Sequence, residues 1–281
     1  MSDRVEVFDV DDAPAIEVSS NAGDIVIKKG DAGRVKIALS GPREAVDDVV
    51  VEASADIVSV RSKPAKARFF TKRVDIVITV PPGGTLKVDV GSGAVRVRLP
   101  MAEVAISAGS GDIRVDKPVG ELTIKVGSGD IYVGTVDYQT TIASANGDIR
   151  VRNAYDIRCD TASGDVRLGE VSGVGRIKSA SGDIVVGRFG GSELEIKTMS
   201  GDSRIGIVPG MEVKARIKTL SGDFRNKITK SDQPRVGSMA LDVKSFSGDV
   251  TLKTASPLSE APPEPPVAPH PPESPEPLTD R

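Results

Sequence analysis

The sequence predicts an all-β chain wound as a β-solenoid (a β-helix) of rungs about eighteen residues long, with an irregular β cap at the N-terminal end. Three observations carry this. Ser-Gly-Asp recurs seven times, ending at Asp112, Asp130, Asp165, Asp183, Asp202, Asp223 and Asp249, and Asn-Gly-Asp fills the missing beat at Asp148. Apolar and polar residues alternate with period two on both sides of each motif, as in strands with one buried face. The repeat is also too short for a pair of helices and suits a single coil. An antiparallel β-meander or roll has the same periodicity and is the alternative topology.

Residues 1–85 form the irregular β region, continuous with the solenoid. Ala22-Gly23-Asp24 is an outlying copy of the motif, and Ile25 to Ile27 follow it as a first rung. Strand-like runs succeed one another at Val35 to Leu39, Val49 to Glu52, Ile57 to Val60 and Val74 to Val80, before Pro81-Pro82-Gly83-Gly84. They are expected to cap the solenoid, since an open end exposes unpaired strand edges.

The regular array occupies residues 86–255. With each motif Asp as origin, the sixth residue before it is Val88, Ile106, Ile124, Ile142, Cys159, Ile177, Ile196, Ile217 or Val243. The fourth before it includes Ser144, Thr161, Ser179, Thr198, Thr219 and Ser245, an inward hydroxyl column expected to bond along the ladder. The motif Ser is expected to face inward beside that column. Two residues after the Asp stand Arg96, Arg114, Tyr132, Arg150, Arg167, Arg204 and Arg225, facing outward. Stacked at about 4.8 Å, the apolar columns make a core that no single rung could bury alone. Residues 256–281 hold ten prolines and five acidic residues, the composition of a disordered tail prone to polyproline II.

Composition removes several kinds of chemistry. With 37 basic against 40 acidic residues, no global field draws the chain to nucleic acid. Cys159 is the lone cysteine and His270 the lone histidine, so a Cys/His metal cluster or a Ser-His pair in the array is not available. No cofactor is expected, and the chain is read as not an enzyme. No signal peptide or transmembrane segment is visible, and a single cysteine suits a reducing compartment, so a cytoplasmic location is expected.

The iterated Ser-Gly-Asp-Ile/Val-x-Val rungs, as at Ser110 to Val115 and Ser181 to Val186, and the stretch from Val74 to Gly83 resemble the bacterial putative-adhesin family of β-strand-repeat proteins. The resemblance spans residues 16–254. It implies a repeat β fold in a family without a shared chemistry, some of whose members are linked to the cell envelope.

The motif carboxylates are the sharpest candidate site. Neighbours about 5 Å apart repel by about 0.8 kcal/mol in water, so something must offset them. A calcium ladder through Asp112, Asp130, Asp148, Asp165, Asp183 and Asp202 is one reading. The other pairs each Asp with a turn amide and with the Arg two residues on, and it is preferred because only one Asp recurs per coil while calcium takes six or more oxygens. The expected function is binding of a protein or envelope component on the solenoid faces. A self-assembling cytoplasmic scaffold, and hence a homo-oligomer, is the first alternative, and a calcium-dependent binding module the second.

Overall fold

The computed structural model describes residues 2–10, 12–54, 56–63, 73–117, 119–229, 234 and 236–255. The expectation for residues 256–281 therefore lies outside the described residues. Among the described residues twenty-three strands and one short helix follow each other. The first are β1 (Ser2–Asp9), β2 (Ala15–Ala22), β3 (Ile25–Lys29), β4 (Arg34–Gly41), α1 (Arg43–Asp47), β5 (Val49–Ala53), β6 (Ile57–Ser62) and β7 (Asp75–Val80). Then come β8 (Thr85–Ser92), β9 (Val95–Val97), β10 (Met101–Ser110), β11 (Ile113–Val115), β12 (Val119–Ser128), β13 (Ile131–Asn146), β14 (Ile149–Ser163), β15 (Val166–Val171) and β16 (Val174–Ser181). The last are β17 (Ile184–Phe189), β18 (Glu193–Ser200), β19 (Ser203–Ile207), β20 (Met211–Ser221), β21 (Phe224–Lys227), β22 (Gly237–Ser247) and β23 (Val250–Thr254).

Pairing within the array is parallel and in register, which decides for the solenoid over the meander. Each coil lays one strand on a wall before the motif and another on a second wall after it. β13 and β14 are long enough to supply the second wall of one coil and the first wall of the next. Side chains alternate along most of each strand, and the sixth-residue column from Val88 through Ile196 to Val243 is sealed from solvent. Antiparallel pairs are confined to the N-terminal end, where β5 runs along β6, β4 along β7 and β1 along β4. There α1 buries Ala45 and Val46 over the end of the core.

Two coils are placed out of chain order. The coil of β2 and β3 lies between that of β6 and β7 and that of β8 and β9. At the other end β18 and β19 pair with β22 and β23, and the coil of β20 and β21 comes last. The region 1–85 thus holds two in-register parallel coils as well as the cap of β1, β4, α1 and β5.

The motif glycine is required at the corner for two reasons. Gly182 has φ +120, and a Cβ there would stand 2.2 Å from the carbonyl oxygen of Gly164 on the coil beneath. No side chain fits so close a backbone approach, and a positive φ of this kind is open to glycine alone.

Candidate functional site

The carboxylate ladder is built by the corner itself. At each turn the backbone ladder breaks, and the peptide N–H of the motif Asp would have no carbonyl to meet. The Oδ1 of the Asp on the neighbouring coil accepts it instead. Asp130, Asp148, Asp165, Asp183 and Asp202 donate in this way to Asp112, Asp130, Asp148, Asp165 and Asp183, at 2.9–3.0 Å. The chain of bonds continues through Asp249 and Asp223, following the spatial order of the coils. At the other end Asp75 accepts from the Asp24 amide and Asp24 from the Ala94 amide. Asp75 is a copy of the motif position that the sequence conceals, because Val74 stands where the glycine belongs.

The Oδ2 atoms of Asp130, Asp148, Asp165, Asp183 and Asp202 face guanidinium groups, whereas Arg114, expected on Asp112, bonds Asp116. Arg150, Arg167 and Arg204 reach Asp148, Asp165 and Asp202 on their own coils at 2.8–2.9 Å. They also reach Asp130, Asp148 and Asp183 next door at 3.1–3.9 Å. The structure brings all six calcium candidates into one line and gives their Oδ1 atoms to amides. Among the described residues no group of three His, Cys, Asp or Glu side chains is arranged to hold a metal ion. At the N-terminal corner Arg73 bonds Asp75 and Asp24 together, and that pairing raises its pKa.

The motif Ser does not face inward. Ser128, Ser163, Ser181, Ser200 and Ser247 are exposed, as is the residue before each, so the alternation ends one residue before the corner glycine. The buried hydroxyl column lies two residues before, and its bonds stay within one strand. Ser144, Thr161, Ser179 and Thr198 each donate to the carbonyl of the residue two ahead, at 3.1–3.2 Å. These four are engaged within their own strands, whereas Ser245 and Thr219 of the same column have no hydrogen-bond partner among the described residues. Cys159 is sealed in the core, and burial together with the Asp160 charge pushes its thiol up to about 12, away from reactivity.

The feature that sequence columns alone did not single out is an outer trough. Its floor is the third residue before each motif Asp, an outward position. Gly91, Gly109 and Gly127 begin it, and a Cβ on any of them would strike a carbonyl oxygen of the adjoining coil at 2.4–2.5 Å. Ala145, Ala162 and Ala180 continue it. Two shallow depressions of 790 and 740 Å³, both lined by Ser144, Asp160 and Ala162, follow this line along the solenoid. On the last three coils the small residues give way to Met199, Phe246 and Leu220, side by side in that order by strand register. They are 64%, 61% and 73% exposed, so three large apolar side chains stand in solvent as a ladder. Beside them runs a column of Lys178, Lys197, Lys244 and Lys218. The change from Gly and Ala to Met, Phe and Leu in one column was the signal available in the sequence.

The family described as Toastrack DUF4097 matches residues 14–253. The chain belongs to this family. Among solved structures, a protein named as a putative adhesin from Parabacteroides merdae is 15% identical, covering 88% of this chain and 95% of its own, with a TM-score of 0.45. One named as a putative adhesin from Bacteroides fragilis is 14% identical over 89% of this chain and 97% of its own, with a TM-score of 0.43. A Parabacteroides distasonis protein named as a putative lipid binding protein is 13% identical over 90% of this chain and 95% of its own, at a TM-score of 0.34. No curated protein compared matches the chain. Among the described residues of this Toastrack chain no helix is long and apolar enough to cross a membrane.

Proposed function

We propose that this Toastrack chain is a non-catalytic binding protein. Its ligand is a protein or cell-envelope component that lays apolar groups, flanked by acidic ones, along the outer trough. One observation carries the proposal: Met199, Phe246 and Leu220 form a contiguous exposed ladder at one end of the trough, in a column that is Gly or Ala from Gly91 to Ala180. Scattered exposed apolar residues are ordinary on a protein surface, but a contiguous patch is the usual mark of an interaction surface. The adjoining lysines set the preferred sign of the partner. Lys197 and Lys244 are shared with Glu195 and Asp242, whereas Lys178 and Lys218 make no ion pair among the described residues. The adhesin names borne by relatives agree with a binding role.

The test is affinity capture from envelope and soluble fractions, with the unmodified protein and a Met199→Ser/Phe246→Ser variant run in parallel. A partner that is held by the first and lost by the second, at unchanged circular dichroism, supports the trough as the site. Equal capture of the same partners by both would remove it.

A further inference from the structure

The C-terminal end of the solenoid is chemically unlike every other part of it. Among the described residues β20 pairs with β22 alone and β21 with β23 alone, so the last coil has one free edge on each wall. Its inward columns are not covered. Val213 and Ile217 are only partly buried, Ala215 and Asn226 are exposed, and Phe224 is 46% exposed where its neighbour Val250 is sealed.

The charge pattern also inverts on this coil. On β18 the outward residues are Glu193, Glu195 and Lys197, and on β22 they are Ala240, Asp242 and Lys244. The corresponding residues of β20 are Lys214, Arg216 and Lys218. None of these three makes an ion pair among the described residues, and Asp242, the register partner of Arg216, is engaged by Lys244 at 3.4 Å. Unpaired cations on a free edge repel another copy of the same edge, which argues against a second molecule of this chain seated there. They favour an acidic occupant.

The chain carries such a segment. Residues 256–281 contain Glu260, Glu264, Glu273, Glu276 and Asp280 against a single Arg281, with ten prolines. The segment departs next to the open end. Ala255 donates its N–H to Ile207, and the side chain of Thr254 accepts the amide of Thr229, which follows β21 in the last coil. Twenty-six residues reach about 80 Å if extended as polyproline II, against about 35 Å for the length of β20. Proline lacks the N–H needed to extend a sheet further, yet its carbonyls accept from edge amides and its rings pack on apolar surface.

We propose that residues 256–281 fold back across the open end as an intramolecular cover, with their carboxylates against Lys214, Arg216 and Lys218 and their proline rings over Ile217 and Phe224. This goes beyond the trough function and shares only Lys218 with it. The cover would stop edge-to-edge association and would yield to an acidic competitor.

Hydrogen exchange on the full chain tests it, with three variants: tail reversal (E260K, E264K, E273K, E276K), edge reversal (K214E, R216E, K218E), and the two combined. Each reversal alone is expected to speed exchange of the β20 and β21 amides about tenfold, the scale of a few exposed ion pairs acting together. The combined variant, with signs exchanged, is expected to recover the protection. Unchanged exchange in the tail-reversed chain overturns the proposal whether or not the edge variant folds, as does a failure of the combined variant to recover. A dimer of the unmodified chain that protects β20 would overturn it too, by giving the end a different occupant.

Discussion

At Asp165 one carboxylate completes two interactions, and they differ in weight. Its Oδ1 accepts the Asp183 amide at 2.9 Å, and its Oδ2 receives Arg167 at 2.8 Å. The ion pair is exposed and contributes well under 1 kcal/mol, as such pairs do. The amide is partly buried at a corner where no carbonyl replaces the lost acceptor, so removing the acceptor costs about 1–2 kcal/mol. Asp165→Asn is therefore expected to stay within about 0.5 kcal/mol of the unmodified chain in urea unfolding, because it keeps an acceptor, while Asp165→Ala loses about 1–2 kcal/mol. Equal losses in the two variants would show that the position needs charge and not acceptor capacity. The pairing of Asp with the Arg two residues on was legible in the sequence, since both lie on one outward face. The bond from Oδ1 to the next amide was not, because it exists only where the corner interrupts the backbone ladder. The outward Ser was not legible either, because strand alternation ends one residue before the corner glycine and the count was carried on to the Ser.

At the scale of the coil, the period was legible and the order of coils was not. Every rung presents similar columns, so any order of stacking satisfies the same alternation. What distinguishes the last coil is the quality of its inward face. β22 and β23 point Met239, Leu241, Val243, Val250 and Leu252 inward, all sealed, whereas β20 and β21 offer Val213, Ala215, Ile217, Thr219 and Asn226. Asn226, in a column otherwise apolar, and Ala215, beside Leu241 and Leu194, mark a coil with only one neighbour. The spacing carries a second trace: Asp202 to Asp223 and Asp223 to Asp249 are longer steps than those before, and they give the chain room to cross a coil and return. Interleaving also has a clear mutational signature. Val250→Ala removes a sealed side chain between two coils and is expected to cost about 2 kcal/mol or more, and Phe224→Ala under about 1 kcal/mol despite deleting a larger group. If stability fell more for Phe224→Ala, the coil of β20 and β21 would be the inner one and the chain would stack in simple sequence order.

The two ends of the whole molecule are closed by different means, and this limits what the solenoid can assemble into. At the N-terminal end the first wall gains one antiparallel strand, β5, and the second gains two, β4 and β1, with α1 over the core between them. Those additions leave the walls uneven by about one strand spacing, close to 4.8 Å, so a flat incoming coil cannot meet both edges at once. The C-terminal end is even, because β20 and β21 are the last strands of their walls. A head-to-tail filament needs two complementary ends and finds one, whereas two copies meeting through the same end form a closed two-fold pair with antiparallel edges. Neutralising the edge cations with Lys214→Thr, Arg216→Thr and Lys218→Thr removes both the hold on the acidic cover and the repulsion between bare edges. Light scattering on that variant is expected to rise with concentration to twice the monomer mass and stop there, while the unmodified chain stays monomeric. Filaments in electron micrographs of either protein would show that the uneven end accepts a coil after all, and would return the self-assembling scaffold as the better account of this fold.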